Sequence, residues 1–213
     1  MTKEGLFITF EGGDGAGKTT LIDKVFDHLK KSGEAVFKTR APGGTEMGKE
    51  IRNLLLHKQD SPLSKRCELL LFLADRAQHV DEQILPALQT GQVVLCDRFN
   101  DSTIAYQGGA RGLTPEVVSH LCNFACNGLS PDLTLYLDLD PKIGFERVKN
   151  AGMAKDRIES ETLEFHQKIR EAFQQIAKNE PTRFRILDAS KTSEEVFQRA
   201  KEMIDALLQI HRE

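Results

Sequence analysis

Hydrophobic residues along the chain fall into five short runs, and longer stretches of mixed polarity separate these runs. The runs are Leu6 to Glu11, Ala35 to Thr39, Val93 to Asp97, Leu133 to Asp138 and Arg185 to Asp188. Short, nearly continuous apolar runs are typical of strands that a parallel sheet buries on both faces. Because helical patterns lie between the runs, the sequence predicts an α/β fold, a five-stranded parallel sheet flanked by helices on both faces.

The clearest helical pattern lies near the C-terminus. Apolar residues recur there at steps of three and four: Val196, Ala200, Met203, Ile204, Leu207 and Leu208. This spacing places them on one helix face, and we interpret that face as core packing against the sheet. No repeat, low-complexity tract or linker divides the sequence, so we expect one domain over residues 1–213.

Composition narrows the class of partner. Of the 213 residues, 39% are hydrophobic and 29% are charged, as in ordinary soluble proteins. The formal net charge of −3 argues against a nucleic-acid polymer as the main partner. No apolar run approaches the roughly 20 residues that span a bilayer, and the first residues do not resemble a signal peptide. We therefore expect a cytoplasmic protein with no membrane partner.

Four cysteines are present, without a C-x-x-C spacing or a nearby histidine that would complete a metal site. They are Cys67, Cys96, Cys122 and Cys126. We expect buried structural thiols and no disulfide framework.

The segment after the first predicted strand fits the phosphate-binding pattern G-x-x-x-x-G-K-[ST] without a mismatch. Its glycines allow successive backbone N–H groups to point into one concavity, and the following helix adds its positive dipole end. Lys18 is expected to reach the β- and γ-phosphates, and the Thr19 hydroxyl to bind Mg²⁺. The residues predicted to bind the triphosphate of ATP are Gly12, Gly13, Asp14, Gly15, Ala16, Gly17, Lys18, Thr19 and Thr20. A glycine-rich turn that binds nothing is the alternative.

A second polar pair ends the predicted strand at residues 93–97. Asp97 is suited to hold Mg²⁺ directly or through water, and the Arg98 guanidinium is suited to bind a phosphate with two parallel hydrogen bonds. Thr19, Asp97 and Glu11 are the predicted metal-binding residues. A solvated surface pair is the alternative interpretation of Asp97 and Arg98.

Further stretches rich in glycine, arginine and amide side chains complete the pattern. They are Thr39 to Thr45 (TRAPGGT), Leu71 to Ala77 (LFLADRA) and Asp101 to Gly112. Three further segments are Asp97 to Arg98, Pro131 to Asp138 and Asp156 to Glu159 (DRIE). Together with the phosphate loop, in their order along the chain and over almost its whole length, they resemble thymidylate kinase. The resemblance implies a P-loop nucleoside monophosphate kinase fold.

The resemblance also implies roles on the acceptor side. Phe72 would stack on the thymine ring and Arg76 would hydrogen-bond the base, although spacing alone favours a core role for Phe72. The residues that the family pattern assigns to dTMP are Asp14, Arg40, Arg52, Phe72, Arg76, Arg98, Thr103, Tyr106 and Gln107. A solvated helix face is the alternative for Arg52, and turn capping is the alternative for Thr103, Tyr106 and Gln107.

A basic, glycine-containing segment at about residues 147–159 resembles the lid of the same family. Gly15 stands where some members carry a catalytic arginine, so this chain resembles the bacterial type, in which the lid supplies the positive charge. Arg157 is the first candidate for that charge and Lys155 the second, with Lys149 also present. An exposed basic loop is the alternative. The family resemblance further implies a cis peptide bond before Pro42, although Ala41 replaces the glutamate that is usual there.

The reaction implied is in-line transfer of the γ-phosphoryl group of ATP to dTMP, giving dTDP and ADP, a step in dTTP synthesis. Lys18, Arg98, Arg157 and Lys155 are the predicted catalytic residues, with Mg²⁺ as cofactor. A GTPase switch is disfavoured because no Asn-Lys-x-Asp motif occurs, and a silent scaffold would not need these residues together. A kinase for another nucleotide is the nearer alternative, and some activity on dUMP is expected. By analogy we expect a homodimer, to which the helix around Leu69 to Ala77 contributes.

Overall fold

A computed structural model of the protein describes residues 4–57, 62–152 and 156–212. The strands are β1 (Phe7–Gly12), β2 (Val36–Arg40), β3 (Val93–Asp97), β4 (Leu133–Asp138) and β5 (Phe184–Asp188). The helices are α1 (Lys18–Lys31), α2 (Glu46–Leu56), α3 (Lys65–His79), α4 (Leu85–Gln89), α5 (Asn100–Thr103), α6 (Pro115–Ala125), α7 (Pro141–Asn150), α8 (Leu163–Asn179) and α9 (Ser193–Arg212). Two π-helical segments, Val80–Ile84 and Ile104–Ala110, follow α3 and α5 without a break.

The five strands form one parallel sheet in the order β2-β3-β1-β4-β5. This confirms the predicted α/β fold, and each predicted strand agrees with the observed one to within one residue at each end. The central strand β1 pairs with both β3 and β4, with Phe10 opposite Asp97 and Gly12 opposite Leu137. The carboxyl ends of β1 and β3 therefore lie side by side, at the edge of the sheet where open α/β folds bind ligands.

Alternate residues of β1 pack on opposite faces of the sheet. Ile8 lies in a core cluster with residues of α1 and α9, whereas Phe7 lies in a second cluster with the segment from Val80 to Leu88. This alternation follows from the two-residue period of a strand. The predicted stripe near the C-terminus is indeed core packing, since Ala200 and Ile204 of α9 are fully buried in the first cluster.

The cysteines follow the prediction at three of four positions. Cys96, Cys122 and Cys126 are buried free thiols, but Cys67 is exposed, so the prediction of burial was wrong there. Cys67 lies in the first turn of α3, where its backbone N–H donates to the Ser64 hydroxyl; the preceding residues Lys65 and Arg66 are also exposed, and burial in this helix begins at Glu68. Within the described ranges, no helix combines the length and the hydrophobicity that crossing a membrane requires.

Candidate active site

The phosphate loop joins β1 to α1 in a conformation that only glycine adopts readily. Gly12, Gly15 and Gly17 have positive φ angles of 145°, 73° and 95°. A Cβ atom at Gly15 would lie 2.4 Å from the carbonyl oxygen of Gly144 in α7. No arginine fits at this position, because the backbone of α7 lies directly against the loop.

Lys18 begins α1 and turns back over the loop. Its Nζ atom donates to the carbonyl oxygens of Gly12 and Gly13, at 3.1 and 3.0 Å. Burial and the charge of Arg98 lower the pKa of Lys18 below its usual value. Thr19 and Thr20 line the same cleft as Lys18, so the predicted phosphate-binding residues are brought together.

Asp14 and Arg98 form an ion pair that connects the phosphate loop to the end of β3. Nη2 of Arg98 lies 2.7 Å from Oδ1 of Asp14, and Nη1 donates to the Ser102 hydroxyl at 3.3 Å. Burial by itself would raise the pKa of Asp14, but the charges of Arg98 and Lys18 outweigh it and hold the pKa below its usual range. The φ angle of Arg98 is 69°, which turns its side chain back towards the loop.

Asp97 and Thr19 have the surroundings of a cation site. Both line the cleft along the phosphate loop, and Oδ1 of Asp97 is buried without a hydrogen-bond partner. Within residues 4–57, 62–152 and 156–212, no group of three or more His, Cys, Asp or Glu side chains is placed to hold a metal ion. These two side chains therefore suit an ion that takes most of its ligands from phosphates and water, as Mg²⁺ does.

Glu11 does not share this arrangement. Its carboxylate is fully buried and accepts from the Phe99 backbone N–H at 2.7 Å and from the Ser102 hydroxyl at 2.5 Å. Burial and the neighbouring Asp101 raise the pKa of Glu11 to about 7. These contacts fasten the chain after β3 to the central strand, and the predicted role of Glu11 as a metal-binding residue stays a prediction.

A concave site adjoins the Asp14–Arg98 pair and encloses about 630 Å³, within the range of small-molecule sites. It is lined by Asp14, Ala41, Pro42, Arg52, Leu56, Phe72, Arg76, Arg98, Ser102, Thr103, Tyr106, Gln107, Asp156, Ile158 and Glu159. All the predicted acceptor residues lie here except Arg40, which lines the adjoining cleft along the phosphate loop. We call the site beside the Asp14–Arg98 pair the acceptor pocket.

Arg76 and Phe72 lie one turn apart on α3. Arg76 is 2% exposed, its Nε and Nη1 atoms have no hydrogen-bond partner, and its guanidinium lies 4.2 Å from the Phe99 ring centroid. An arginine buried with unused donors at a pocket wall is poised to bond a polar ligand. Phe72 packs partly on the core and partly faces the pocket, so the core and stacking interpretations both describe it.

The turn after β2 holds Arg52 at the pocket. The Ala41–Pro42 bond is cis, as the family pattern implies. Nη1 of Arg52 donates to the Pro42 carbonyl at 2.9 Å, and the Gly43 N–H donates to Oδ1 of Asp75 at 2.9 Å. The sequence analysis did not identify Asp75 as a support of this turn, because its partner is 32 residues away.

Of the two predicted lid cations, the structure describes Arg157. Nη2 of Arg157 lies 2.6 Å from Glu68, and its Nε donates to the Leu55 carbonyl at 2.8 Å. Arg157 is not among the residues that line the phosphate-loop cleft. Its predicted role as the catalytic cation stays a prediction. Lys155 lies outside the described residues.

Arg147 of α7 is a basic residue of the predicted lid that lines that cleft, together with Val148 and Glu159. It was noted in the sequence only as the start of the lid. Its Nη1 atom donates to the Gly15 carbonyl at 3.4 Å and Nη2 to the Ala189 carbonyl at 3.2 Å. The feature from which Arg147 could have been identified is its position three residues after Gly144, which contacts the phosphate loop.

A family model described as thymidylate kinase matches residues 10–200 of the chain. The chain belongs to the thymidylate kinase family. It is 47% identical over 209 residues to a thymidylate kinase of Protochlamydia amoebophila, covering 95% of this chain and 93% of the relative. It is 50% identical over 209 residues to that of Desulfovibrio desulfuricans, covering 95% and 96%.

A solved structure of a thymidylate kinase from Ehrlichia chaffeensis superposes with a TM-score of 0.75 at 32% identity. The match covers 94% of this chain and 98% of that one, which confirms the nucleoside monophosphate kinase fold predicted from the motifs. The motifs of the thymidylate kinase family, including the phosphate loop, thus lie together with the acceptor pocket at one edge of the sheet.

Proposed function

We propose that this chain transfers the γ-phosphoryl group of ATP to dTMP and releases dTDP and ADP. The observation that carries the proposal is the position of the acceptor pocket, whose buried Arg76 has unused donors. The Asp14–Arg98 ion pair joins that pocket directly to the phosphate loop. A nucleotide in the pocket would therefore have its phosphate next to the donor phosphates.

On the donor side, the backbone of residues 12–20 cradles the triphosphate and Lys18 binds its β- and γ-phosphates. Lys18 exchanges its two carbonyl contacts for phosphate oxygens at little cost, because those carbonyls belong to the same loop. Arg147, already at the Gly15 carbonyl, supplies positive charge at this cleft. A lid at residues 147–159 is part of the proposal.

On the acceptor side, Phe72 stacks on the thymine and Arg76 donates to its edge. Arg98 and Arg52 bind the dTMP phosphate, and Arg40 lies at the adjoining cleft. The Asp14 carboxylate accepts from the sugar hydroxyl. Thr103, Tyr106 and Gln107 are buried residues that line the sugar and base side of the pocket.

The transfer needs no general base in the protein. The attacking atom is an oxygen of the dTMP phosphate, which is mostly a dianion at neutral pH because its second pKa is about 6. Lys18 and Arg98 hold the donor and acceptor in line and neutralise charge on the transferring group. Mg²⁺, bound by Thr19 and Asp97, would add neutralisation of the β- and γ-phosphate oxygens.

We also propose that the protein is a homodimer. Leu70 of α3 and Val117 and Phe124 of α6 are 60%, 53% and 84% exposed, on two helices that pack against each other. Exposed apolar side chains on neighbouring elements are typical of a protein interface, and a second copy covering this face would bury them. Leu69 and Leu73 of the same helix face inwards. The proposal includes a cytoplasmic location, where the ATP that the reaction consumes is available.

Product analysis tests the reaction. The protein is incubated with ATP, dTMP and Mg²⁺, and nucleotides are separated by anion-exchange chromatography. We expect dTDP and ADP in equal amounts, and loss of both products when EDTA removes the divalent cation. ADP without dTDP, or dTDP formation that EDTA does not affect, would refute the proposed reaction or its metal dependence.

A further inference from the structure

Glu68 is a buried carboxylate at the back of the acceptor pocket. It lies in the first turns of α3, is 1% exposed, and accepts four hydrogen bonds. Arg111 donates to both of its oxygens at 2.9 and 3.1 Å, Gln107 donates at 3.0 Å, and Arg157 donates at 2.6 Å. Burial would raise the pKa of Glu68, but the bonds from Arg111 and Gln107 hold it below its usual value, so the group is anionic.

Arg157 connects its segment to α2 and α3 through hydrogen bonds from both its side chain and its backbone. Besides the Glu68 contact, Nε donates to the Leu55 carbonyl at 2.8 Å and the backbone N–H donates to the Leu56 carbonyl at 3.0 Å. The planar guanidinium reaches two acceptors at once, which a lysine ammonium in the same place would not do. Residues 156 and 157 are thereby tied to the end of α2 and to α3.

The tied segment supplies one wall of the acceptor pocket. Asp156, Ile158 and Glu159 line it, and the Asp156 carboxylate accepts from the N–H groups of Ile158 and Glu159 at 2.8 Å. The turn is therefore internally rigid, and the contacts of Arg157 set its position relative to Phe72 on α3.

We propose that Glu68 and Arg157 are positioning residues that latch the 156–159 turn against the pocket and so determine affinity for the acceptor nucleotide. The proposal rests on the function proposed above, and it gives Arg157 a role different from that of a catalytic cation. Gln107, which also donates to Glu68, lines the same pocket, so one carboxylate contacts both a pocket-lining side chain and the residue that holds the 156–159 turn.

A double-mutant cycle tests the latch. Wild type, Glu68→Gln, Arg157→Gln and the double variant are assayed for kcat and for KM with dTMP and with ATP. We expect each single variant to raise KM for dTMP about tenfold, with kcat within about threefold of wild type and KM for ATP unchanged. The double variant should be no worse than the poorer single variant, because both substitutions break the same contact. Glu164→Gln, in an exposed pair with Lys168, is the matched control.

Two results would overturn the proposal. A fall in kcat of about 100-fold in Arg157→Gln, with KM for dTMP unchanged, would mean a catalytic cation. If the increases in KM for dTMP of the two single variants multiply in the double variant, the two residues act separately. If Glu68→Gln does not fold, Arg157→Lys distinguishes the two roles, because lysine lacks the paired donors of the guanidinium. The substitution raises KM for dTMP if Arg157 is a latch, and lowers only kcat if Arg157 is a catalytic cation. Absence of dTMP-dependent turnover in wild type would instead refute the proposed function.

Discussion

Lys18 is the residue on which the donor side depends most. It is buried in the phosphate loop and contacts only backbone carbonyls of that loop among the described hydrogen bonds. We expect Lys18→Ala to lower kcat about 1,000-fold or more, because the variant loses charge stabilisation of the transferring group in a water-poor cleft. The measurement is steady-state turnover with saturating ATP and dTMP.

The fold should survive this substitution, since no core contact depends on the ammonium. Circular dichroism and thermal unfolding check that point. Lys31→Ala, at the exposed end of the same helix, is the control and should leave turnover unchanged. Wild-type turnover in Lys18→Ala would remove Lys18 from the chemistry.

Substitution of Arg76 tests whether this residue recognises the base. A buried charged hydrogen bond contributes about 1.5–3 kcal/mol, so we expect Arg76→Met to raise KM for dTMP about 10- to 100-fold. KM for ATP should not change. Arg66→Met, an exposed arginine on the same helix, is the matched control. Equal increases in both KM values would mean that Arg76 supports the fold and does not recognise the base.

Residues with a local sequence signature were predictable, and residues defined by distant partners were not. Lys18 and Arg98 belong to motifs whose chemistry is contained in a few consecutive positions. Arg157 shares such a motif, yet its partner Glu68 is 89 positions away and fixes what the guanidinium does. Glu11 is similar, because its partners Phe99 and Ser102 follow β3. The sequence motifs contain these side chains, but the contacts that determine their positions form only in the fold.

Among the elements, α3 connects recognition of the base to support of the turn after β2. Phe72 and Arg76 face the acceptor pocket, while Asp75 holds the Gly43 N–H and the His79 ring hydrogen-bonds Thr39. A Cβ atom at Gly44 would lie 2.3 Å from Nε2 of His79, so the turn packs directly on this ring. The periodicity of the sequence predicted the helix but not this division of its faces.

His79 makes the stability of this element depend on pH. Burial and the charge of Arg76 lower the pKa of His79 from 6.5 to about 4. Between these values the unfolded chain binds a proton that the folded protein excludes, so stability falls as pH falls from 6.5 to 4. For this one group the loss is about 2 to 3 kcal/mol.

Urea unfolding at pH 7 and pH 4.5 measures this effect. We expect His79→Gln to lose less stability between the two pH values than wild type, whereas His120→Gln, at an exposed histidine, should follow wild type. Parallel losses in wild type and His79→Gln would show that His79 is not the group responsible. Glu11, with a raised pKa, acts in the opposite direction in all three proteins and cancels from the comparison.

At the scale of the whole molecule, the apolar face of α3 and α6 is the feature that a single chain leaves uncovered. We expect the wild-type protein to have the mass of a dimer in light scattering, and Phe124→Asp to shift it towards the monomer. Ile210→Asp, at an equally exposed position of α9, is the control and should not change the mass. A monomeric wild type at micromolar concentration would contradict the proposed dimer.

The five strands and the helix layers follow from features that the sequence carries locally, namely continuous apolar runs and helical stripes, whereas the order of the strands was not predicted. The exposed apolar face of α3 and α6 does not follow from such local features, because Phe124 and Val117 fit the same helical pattern whether solvent or another chain covers them. Only their 84% and 53% exposure in the folded chain distinguishes them from core.

The most direct measurement is ADP formation from ATP and Mg²⁺ in parallel reactions with dTMP, dUMP, dCMP, AMP, GMP or no acceptor. We predict rapid turnover with dTMP and weaker turnover with dUMP, since one methyl group contributes only about 1–3 kcal/mol to discrimination in a pocket. The other acceptors should not exceed the reaction without acceptor. Preference for another acceptor, or ATP consumption that no acceptor changes, would contradict the assignment of the pocket and of the reaction.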